Sequence, residues 1–275
     1  MRQRHFGRNG PLVPVVGQGT WPTPDVAALR RGIELGMTHI DTAEMYGDGR
    51  SEELIGEAIA GLERATLFLV SKVYPQNADA RGIVRACERS LKRLRADYLD
   101  CYLLHWRAEN DLAETMHGLE KLVRDGKTRT LGVSNLDPWD LREAAAALQH
   151  ERIACDQVLY NLETRTVEDH ELPWCREYGA ALVAYTPFGR GGFDTRSKRY
   201  APLVEIAKRH EVTPHAVALA FLLRDPDVFV IPKANSIAHV EQNAAAGDLE
   251  LSAEEITQID HAFPKGKRRG ALPMN

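Results

Sequence analysis

Residues 38–47 read THIDTAEMYG: a short apolar run, Thr38 to Ile40, stops at Asp41, and a polar turn then carries Tyr46. The chain beyond it changes period. Leu54, Ile55, Ala58, Ile59 and Leu62 fall at helical spacing on one face, so a strand, a polar loop and an amphipathic helix follow one another within twenty-five residues. The next stretch, LFLVSKV at residues 67–73, starts the same unit again and ends on Lys72 instead of an aspartate.

Working outward from this pair, the apolar runs are Val13–Gly19, Thr38–Thr42, Leu67–Val73, Tyr98–His105, Thr128–Val133, Ala154–Leu159, Ala181–Thr186 and Val228–Pro232, eight candidate strands in all. Helix-start signals stand between them, such as Asp137-Pro138 and Thr213-Pro214, where a capping side chain precedes a proline at the first helical position. Strands that alternate with helices need parallel crossovers. Parallel strands covered by helices read as near-continuous apolar runs, as LFLV, ALVAY and VFVI do. Eight units in roughly 250 residues favour a closed (β/α)8 TIM barrel over a doubly wound sheet. Asn9-Gly10 predicts a two-residue hairpin ahead of the first barrel strand, and Ser252-Ala-Glu-Glu255 is a capping box that opens a last helix to about Ala262. Beyond Pro264 the tail reads as irregular. No linker or low-complexity tract divides residues 1–275, so one α/β barrel domain is expected.

Composition narrows the function. Thirty-five basic and 39 acidic residues are mixed along the chain, for a net charge of −4, so no broad basic face is available to nucleic acid or to anionic lipid. The longest apolar run, Ala216–Leu223, is too short to span a bilayer, and MRQRHFGRNG has no apolar core of a signal peptide. Four scattered cysteines form no CxxC and the histidines no HExxH, which argues for a reduced, cytoplasmic protein without a metal site.

In a parallel barrel, chemistry sits where strands end, so polar residues just after an apolar run are the candidates. Three consecutive strands supply four of them: Asp41 and Tyr46, Lys72, and His105 in YLDCYLLHW. Singly, each has an ordinary structural role: a turn cap, a surface lysine, a core histidine, a packed tyrosine. Together they make an acid. An ammonium beside a phenol stabilises the phenolate and lowers a pKa that is otherwise about 10, while a carboxylate keeps a buried lysine charged. A neutral His105 can then hydrogen-bond a carbonyl oxygen and orient it beside Tyr46.

With HIDTAEMYG, LVSKV and YLLHW in this order, followed by GVSN, QVLYN, AYTPFGRG and IPKANS, the sequence resembles the aldo-keto reductases over nearly its whole length. The resemblance implies NADPH-dependent reduction of an aldehyde or ketone, with Tyr46 as proton donor, Asp41 and Lys72 tuning it, and His105 orienting the substrate. It also implies an extended cofactor across the barrel mouth, which fits the absence of a GxGxxG fingerprint; Gly17-Gln-Gly19 lacks the third glycine. The matching cofactor positions are Thr20 and Trp21, Asp41, Ser134, Asn135 and Gln157 at the carboxamide, and Tyr185 against the nicotinamide ring. Thr186, Pro187, Phe188, Gly189 and Gly191 then line the pyrophosphate, and Ile231, Lys233, Asn235, Ser236, His239, Gln242 and Asn243 lie on the adenosine side. Many relatives carry an arginine where this chain has His239, and a neutral imidazole has no permanent charge for a 2′-phosphate. NADP(H) is therefore expected as cofactor together with measurable use of NAD(H).

Trp21, Tyr46, Tyr74, His105 and Trp106 form the candidate substrate pocket, aromatic and apolar, and the short tail after Lys265 leaves it open to medium-sized carbonyl compounds. The expected partner is a small-molecule carbonyl substrate, with neither nucleic acid nor membrane, on a monomer or weak oligomer. A different class stays in play: a cofactor-bound regulatory or redox-sensing subunit with little turnover. Retention of all four polar residues argues against it.

Overall fold

The structure, a computed structural model, describes residues 1–109, 111–190, 195–268 and 270–274. Two short strands, β1 (Gln3–His5) and β2 (Leu12–Pro14), pair antiparallel at the start of the chain. Eight parallel strands follow in the order in which they occur: β3 (Gln18–Gly19), β4 (His39–Asp41), β5 (Phe68–Val73), β6 (Leu99–Leu104), β7 (Thr128–Ser134), β8 (Ile153–Leu159), β9 (Ala181–Tyr185) and β10 (Val228–Val230). The two edges meet. Gly17 N donates to Val230 O at 2.8 Å, Val230 N to Val15 O at 3.0 Å and Gly19 N to Pro232 O at 3.1 Å, which closes the sheet on itself. The seam is tight: a Cβ on Gly19 would stand 2.6 Å from the Ile231 carbonyl oxygen, so only glycine fits there.

Ten α-helices lie among the described residues: α1 (Val26–Glu34), α2 (Arg50–Ala58), α3 (Gly82–Leu94), α4 (Leu112–Arg124), α5 (Pro138–Ala147), α6 (Glu171–Tyr178), α7 (Ala201–Arg209), α8 (Pro214–Leu222), α9 (Ile237–Ala245) and α10 (Ala253–Ala262). Their starts follow the sequence signals. The Asp137 carboxylate accepts from Trp139 N and Asp140 N, Thr213 Oγ1 accepts from Ala216 N, and Ser252 and Glu255 exchange hydrogen bonds as a capping box. The run Ala216–Leu223 is wholly buried in α8 and its cap, a helix apolar all round because it packs on every side. No described helix is long and apolar enough to cross a membrane.

Three expectations need correction. The run Val13–Gly19 is not one strand: Val13 and Pro14 pair with β1, residues 15–17 meet Val230 at the seam, and Gln18 and Gly19 pair with β4. The Asn9-Gly10 turn is the end of a longer loop, since Phe6 N donates to Pro11 O and residues 7–10 lie between them. Arg8 N reaches the Gly179 carbonyl at the end of α6, an anchor a two-residue turn would not reach, and both Gly7 and Asn9 adopt left-handed backbone to make it. Leu62 lies beyond α2 and is 43 % exposed, so the buried face there is Ile55, Ala58 and Ile59.

Phe6 from this N-terminal hairpin plugs the barrel floor, its ring 4.8 Å from Phe68, 5.1 Å from Phe229 and 5.8 Å from His39. The floor is thus apolar and shut. Polar side chains gather at the opposite end, where the strands finish.

Candidate active site

Asp41 ends β4, Lys72 lies next to the end of β5, and His105 follows β6 directly. Neighbouring parallel strands in register bring their ends together, so residues 31 and 33 positions apart become neighbours. The Lys72 ammonium, 0 % exposed, donates to Asp41 Oδ1 at 2.6 Å, to Thr42 O at 2.7 Å and to Tyr46 Oη at 3.4 Å. Gln157 from β8 donates to the other Asp41 oxygen at 2.7 Å. Tyr46 meets the His105 ring edge-to-face at 5.7 Å. All four residues singled out in the sequence therefore converge at one mouth.

The electrostatics follow from burial. Desolvation works against the Lys72 ammonium, yet Asp41 and then Tyr46 outweigh it and hold the lysine above its ordinary pKa. Burial pushes the Asp41 carboxyl up, and Lys72 and Gln157 oppose that. Tyr46 departs from expectation: burial raises its pKa, and Lys72, pulling downward, offsets only part of this. The phenol is consequently protonated at neutral pH, as an acid must be before it reacts. Burial and then the nearby Lys72 charge drive the His105 pKa down to about 2, so the imidazole is neutral, and its Nδ1 is buried without a hydrogen-bond partner among the described residues.

Around this centre the other candidate residues divide into a linked inner group and an exposed outer one. Ser134 Oγ donates to Gln157 O (2.8 Å), and Asn135 Nδ2 donates to His105 O (3.1 Å) and to Ser134 Oγ (3.0 Å). Tyr185 Oη donates to Asn135 Oδ1 (2.8 Å), and Thr20 Oγ1 donates to Asp41 O (2.8 Å). Asn135 and Thr186, each just past a strand, both have left-handed φ, of 59° and 50°; such strain in non-glycine residues gathers at functional sites. Pro187, Ile231 and Asn243 are buried, Gly189, Lys233 and Gln242 half-buried, and Asn235, Ser236 and His239 exposed. Gly191 lies outside the described residues.

On the substrate side, Tyr74 packs edge-to-face on Trp106 at 5.2 Å, and Trp106 lies 4.8 Å from His105. Trp21 stands apart, 63 % exposed. Phe188 packs on His215 of α8 at 4.9 Å. Sequence reasoning missed His215, which is half-buried and is held below its ordinary pKa by burial and by the adjacent His239. It also passed over Glu44, in the middle of the decisive motif, whose carboxylate accepts from Tyr74 N and Asn77 Nδ2. A carboxylate between two site residues was the available signal.

A closed parallel barrel with a buried lysine joining a carboxylate to a phenol at its mouth defines a class of carbonyl-reducing barrels. The model of the Aldo/keto reductase family matches residues 17–263, and the chain belongs to that family. It is similar to methylglyoxal reductase YeaE of Escherichia coli (strain K12), at 45 % identity over the full length of both chains. Glyoxal reductase of Bacillus subtilis (strain 168) is 32 % identical, covering 96 % of this chain and 94 % of that one. Among solved structures, an aldo-keto reductase from Klebsiella pneumoniae in complex with NADPH superposes with a TM-score of 0.91 at 44 % identity, covering 100 % of both chains.

Proposed function

We propose that residues 1–275 act as one barrel domain that reduces small aldehydes, 2-oxoaldehydes such as methylglyoxal foremost, with NADPH as the reductant. The observation that carries this reading is the buried Lys72 ammonium shared by Asp41 and Tyr46 beside a neutral His105. The similarity to methylglyoxal and glyoxal reductases supports the substrate class. Four free, buried cysteines support a reducing, cytoplasmic setting.

The residues fit the cofactor on the evidence of Lys233. It follows β10 half-buried, and burial moves its pKa down, with no carboxylate paired with it among the described residues. Such a cation suits a phosphate, and Ser236 at the start of α9 lies three residues further on. Lys233, Asn235, Ser236 and His239 would hold the adenosine phosphate, Ser134, Asn135 and Gln157 the carboxamide, and Tyr185 the ring. When bound, reduced nicotinamide supplies a hydride to the carbonyl carbon.

The chain's own groups do the rest. His105 donates a hydrogen bond to the carbonyl oxygen and so fixes its place, while Tyr46 Oη transfers its proton to that oxygen as negative charge develops there. Lys72 stabilises the phenolate left behind, and Asp41, held by Gln157, keeps Lys72 charged and aimed. Tyr74 and Trp106 form a narrow aromatic wall that suits a small, flat dicarbonyl.

The test is to follow NADPH and NADH absorbance with methylglyoxal, simple aldehydes, ketones and sugars. Oxidation of NADPH with methylglyoxal, and slower but measurable oxidation of NADH, is the expected result. Tight NADPH binding with no turnover on any of these carbonyls would replace this reading with the regulatory one.

A further inference from the structure

Glu44 lies between Asp41 and Tyr46, yet it touches neither the ammonium nor the phenol. Its side chain is 8 % exposed, and each oxygen is engaged. Oε1 accepts from the Tyr74 backbone N–H at 2.7 Å and from Asn77 Nδ2 at 3.0 Å; Oε2 accepts from Arg89 of α3 at 3.2 Å. Its own backbone N–H donates to the Lys72 carbonyl at 3.3 Å. One residue thus joins the loop that carries the acid to the strand that carries the ammonium, and both to the turn that begins with Tyr74.

The loop has need of such a tie. After Tyr46 the backbone passes through three left-handed residues in succession, Gly47 (φ 56°), Asp48 (φ 52°) and Gly49 (φ 89°), before α2 begins. Asp48 adopts a conformation most L-residues avoid, and the bonds on this side, Arg50 N to Gly47 O and Tyr46 O, stay within the loop and the start of α2. On the other side, Tyr46 N reaches only back to Ala43 O, within the same turn. Lys72 holds the loop at Thr42 O and at the Tyr46 hydroxyl, and Glu44 adds the bonds that tie it to the Tyr74 turn. On the far side, Tyr74 opens a tight turn closed by Asn77 N on Tyr74 O at 2.8 Å, and the Tyr74 ring rests on Trp106, which in turn lies against His105.

We propose that Glu44 is a positioning residue for carbonyl reduction, a carboxylate clamp that fixes the distance between the proton donor Tyr46 and the Tyr74–Trp106 substrate wall by accepting the Tyr74 N–H and Asn77 side chain. The inference rests on the functional reading above. The bonds to Oε1 are sheltered and set the Tyr74 backbone directly, whereas Arg89 is 47 % exposed and its ion pair is screened by solvent. Acceptor geometry, rather than charge, is what the clamp requires. Glutamine keeps an oxygen at Oε1; alanine leaves the Tyr74 N–H and Asn77 without an acceptor and frees the loop to shift. A misplacement of about 1 Å far from the reacting atoms can cost on the order of 10²-fold in rate.

The experiment compares wild type, Glu44→Gln and Glu44→Ala by three readouts: steady-state kinetics with methylglyoxal, NADPH affinity by fluorescence, and hydrogen exchange of the segment 73–77. Glu44→Ala is expected to lose about tenfold or more in kcat/KM, through a raised KM together with a lower kcat, to hold NADPH within about twofold of wild type, and to exchange faster at residues 73–77. Glu44→Gln is expected to stay within about threefold of wild type and to exchange at the wild-type rate. Three results overturn the clamp: Glu44→Ala kinetically like wild type, Glu44→Gln as impaired as Glu44→Ala, or NADPH affinity lost in step with turnover. If the alanine variant does not fold, Asn77→Ala takes its place, with a rise in methylglyoxal KM expected and an unchanged KM overturning the proposal. If wild type reduces no carbonyl, the functional reading fails, and exchange alone decides the clamp: faster in Glu44→Ala only sustains it, equal in all three overturns it.

Discussion

Two histidines are buried in this barrel, and they differ in almost nothing but address. His39 begins β4 at the floor, and burial, with a smaller push from Lys72, lowers its pKa to about 3. His105 follows β6 at the mouth, and the same two causes lower its pKa to about 2. Both are neutral at pH 7, and among the described residues both nitrogens of His39 and Nδ1 of His105 are buried without a hydrogen-bond partner. The His39 ring, however, is enclosed by Phe6, Phe68 and Phe229, while the His105 ring faces Tyr46 and Trp106. A strongly shifted pKa therefore identifies burial, and only position at the C-terminal end of a strand turns a buried imidazole into a candidate for chemistry.

The largest expected effect is on activity. His105→Gln should lower kcat/KM for methylglyoxal by about 10²-fold, the usual loss for one donor to a developing oxyanion, while His39→Leu leaves it within about twofold. Steady-state kinetics on the purified variants decides, and an equal loss in both would break the comparison.

Next comes the dependence of stability on pH. Below pH 6.5 the unfolded chain protonates His39 and the folded one does not until about pH 3, so stability falls as pH falls through that window. Each such histidine contributes a slope of about 1.4 kcal/mol per pH unit. Denaturant midpoints between pH 7 and 4 should therefore decline less steeply for His39→Leu than for wild type. Parallel lines would mean that the floor histidine is not held neutral.

The smallest effect concerns the outer rim. His239 is exposed on the first turn of α9, and His239→Arg should raise the ratio of NADPH to NADH catalytic efficiency by about tenfold, the worth of one charge-assisted hydrogen bond. A wild type already selective for NADPH by orders of magnitude, with no gain in the variant, would remove His239 from the phosphate site.

The same contrast between mouth and floor explains how much could be read from the sequence. The mouth is local in its logic: each strand ends on its own polar residue, so Asp41, Lys72 and His105 were legible from the run that precedes them, and the caps at Asp137, Thr213 and Ser252 from their spacing. The floor depends on distant pairing. Val13 reads as the start of a barrel strand, but its partner is Arg4, and the hairpin loop lengthens to reach Gly179. Neither contact leaves a trace in periodicity. The direction of the Tyr46 shift was hidden for a related reason: the attraction of Lys72 can be inferred from motif order, whereas the opposing cost of burial depends on how completely neighbouring loops cover the phenol.

If Tyr46 delivers the proton, Tyr46→Phe isolates that role, because the ring, edge-to-face with His105, is kept and only the hydroxyl is lost. NADPH affinity and kcat/KM for methylglyoxal are to be measured on the same preparation. Unchanged affinity with a loss of about 10² to 10⁴-fold in kcat/KM is expected. A phenylalanine variant that binds NADPH normally and reduces methylglyoxal at the wild-type rate would contradict it.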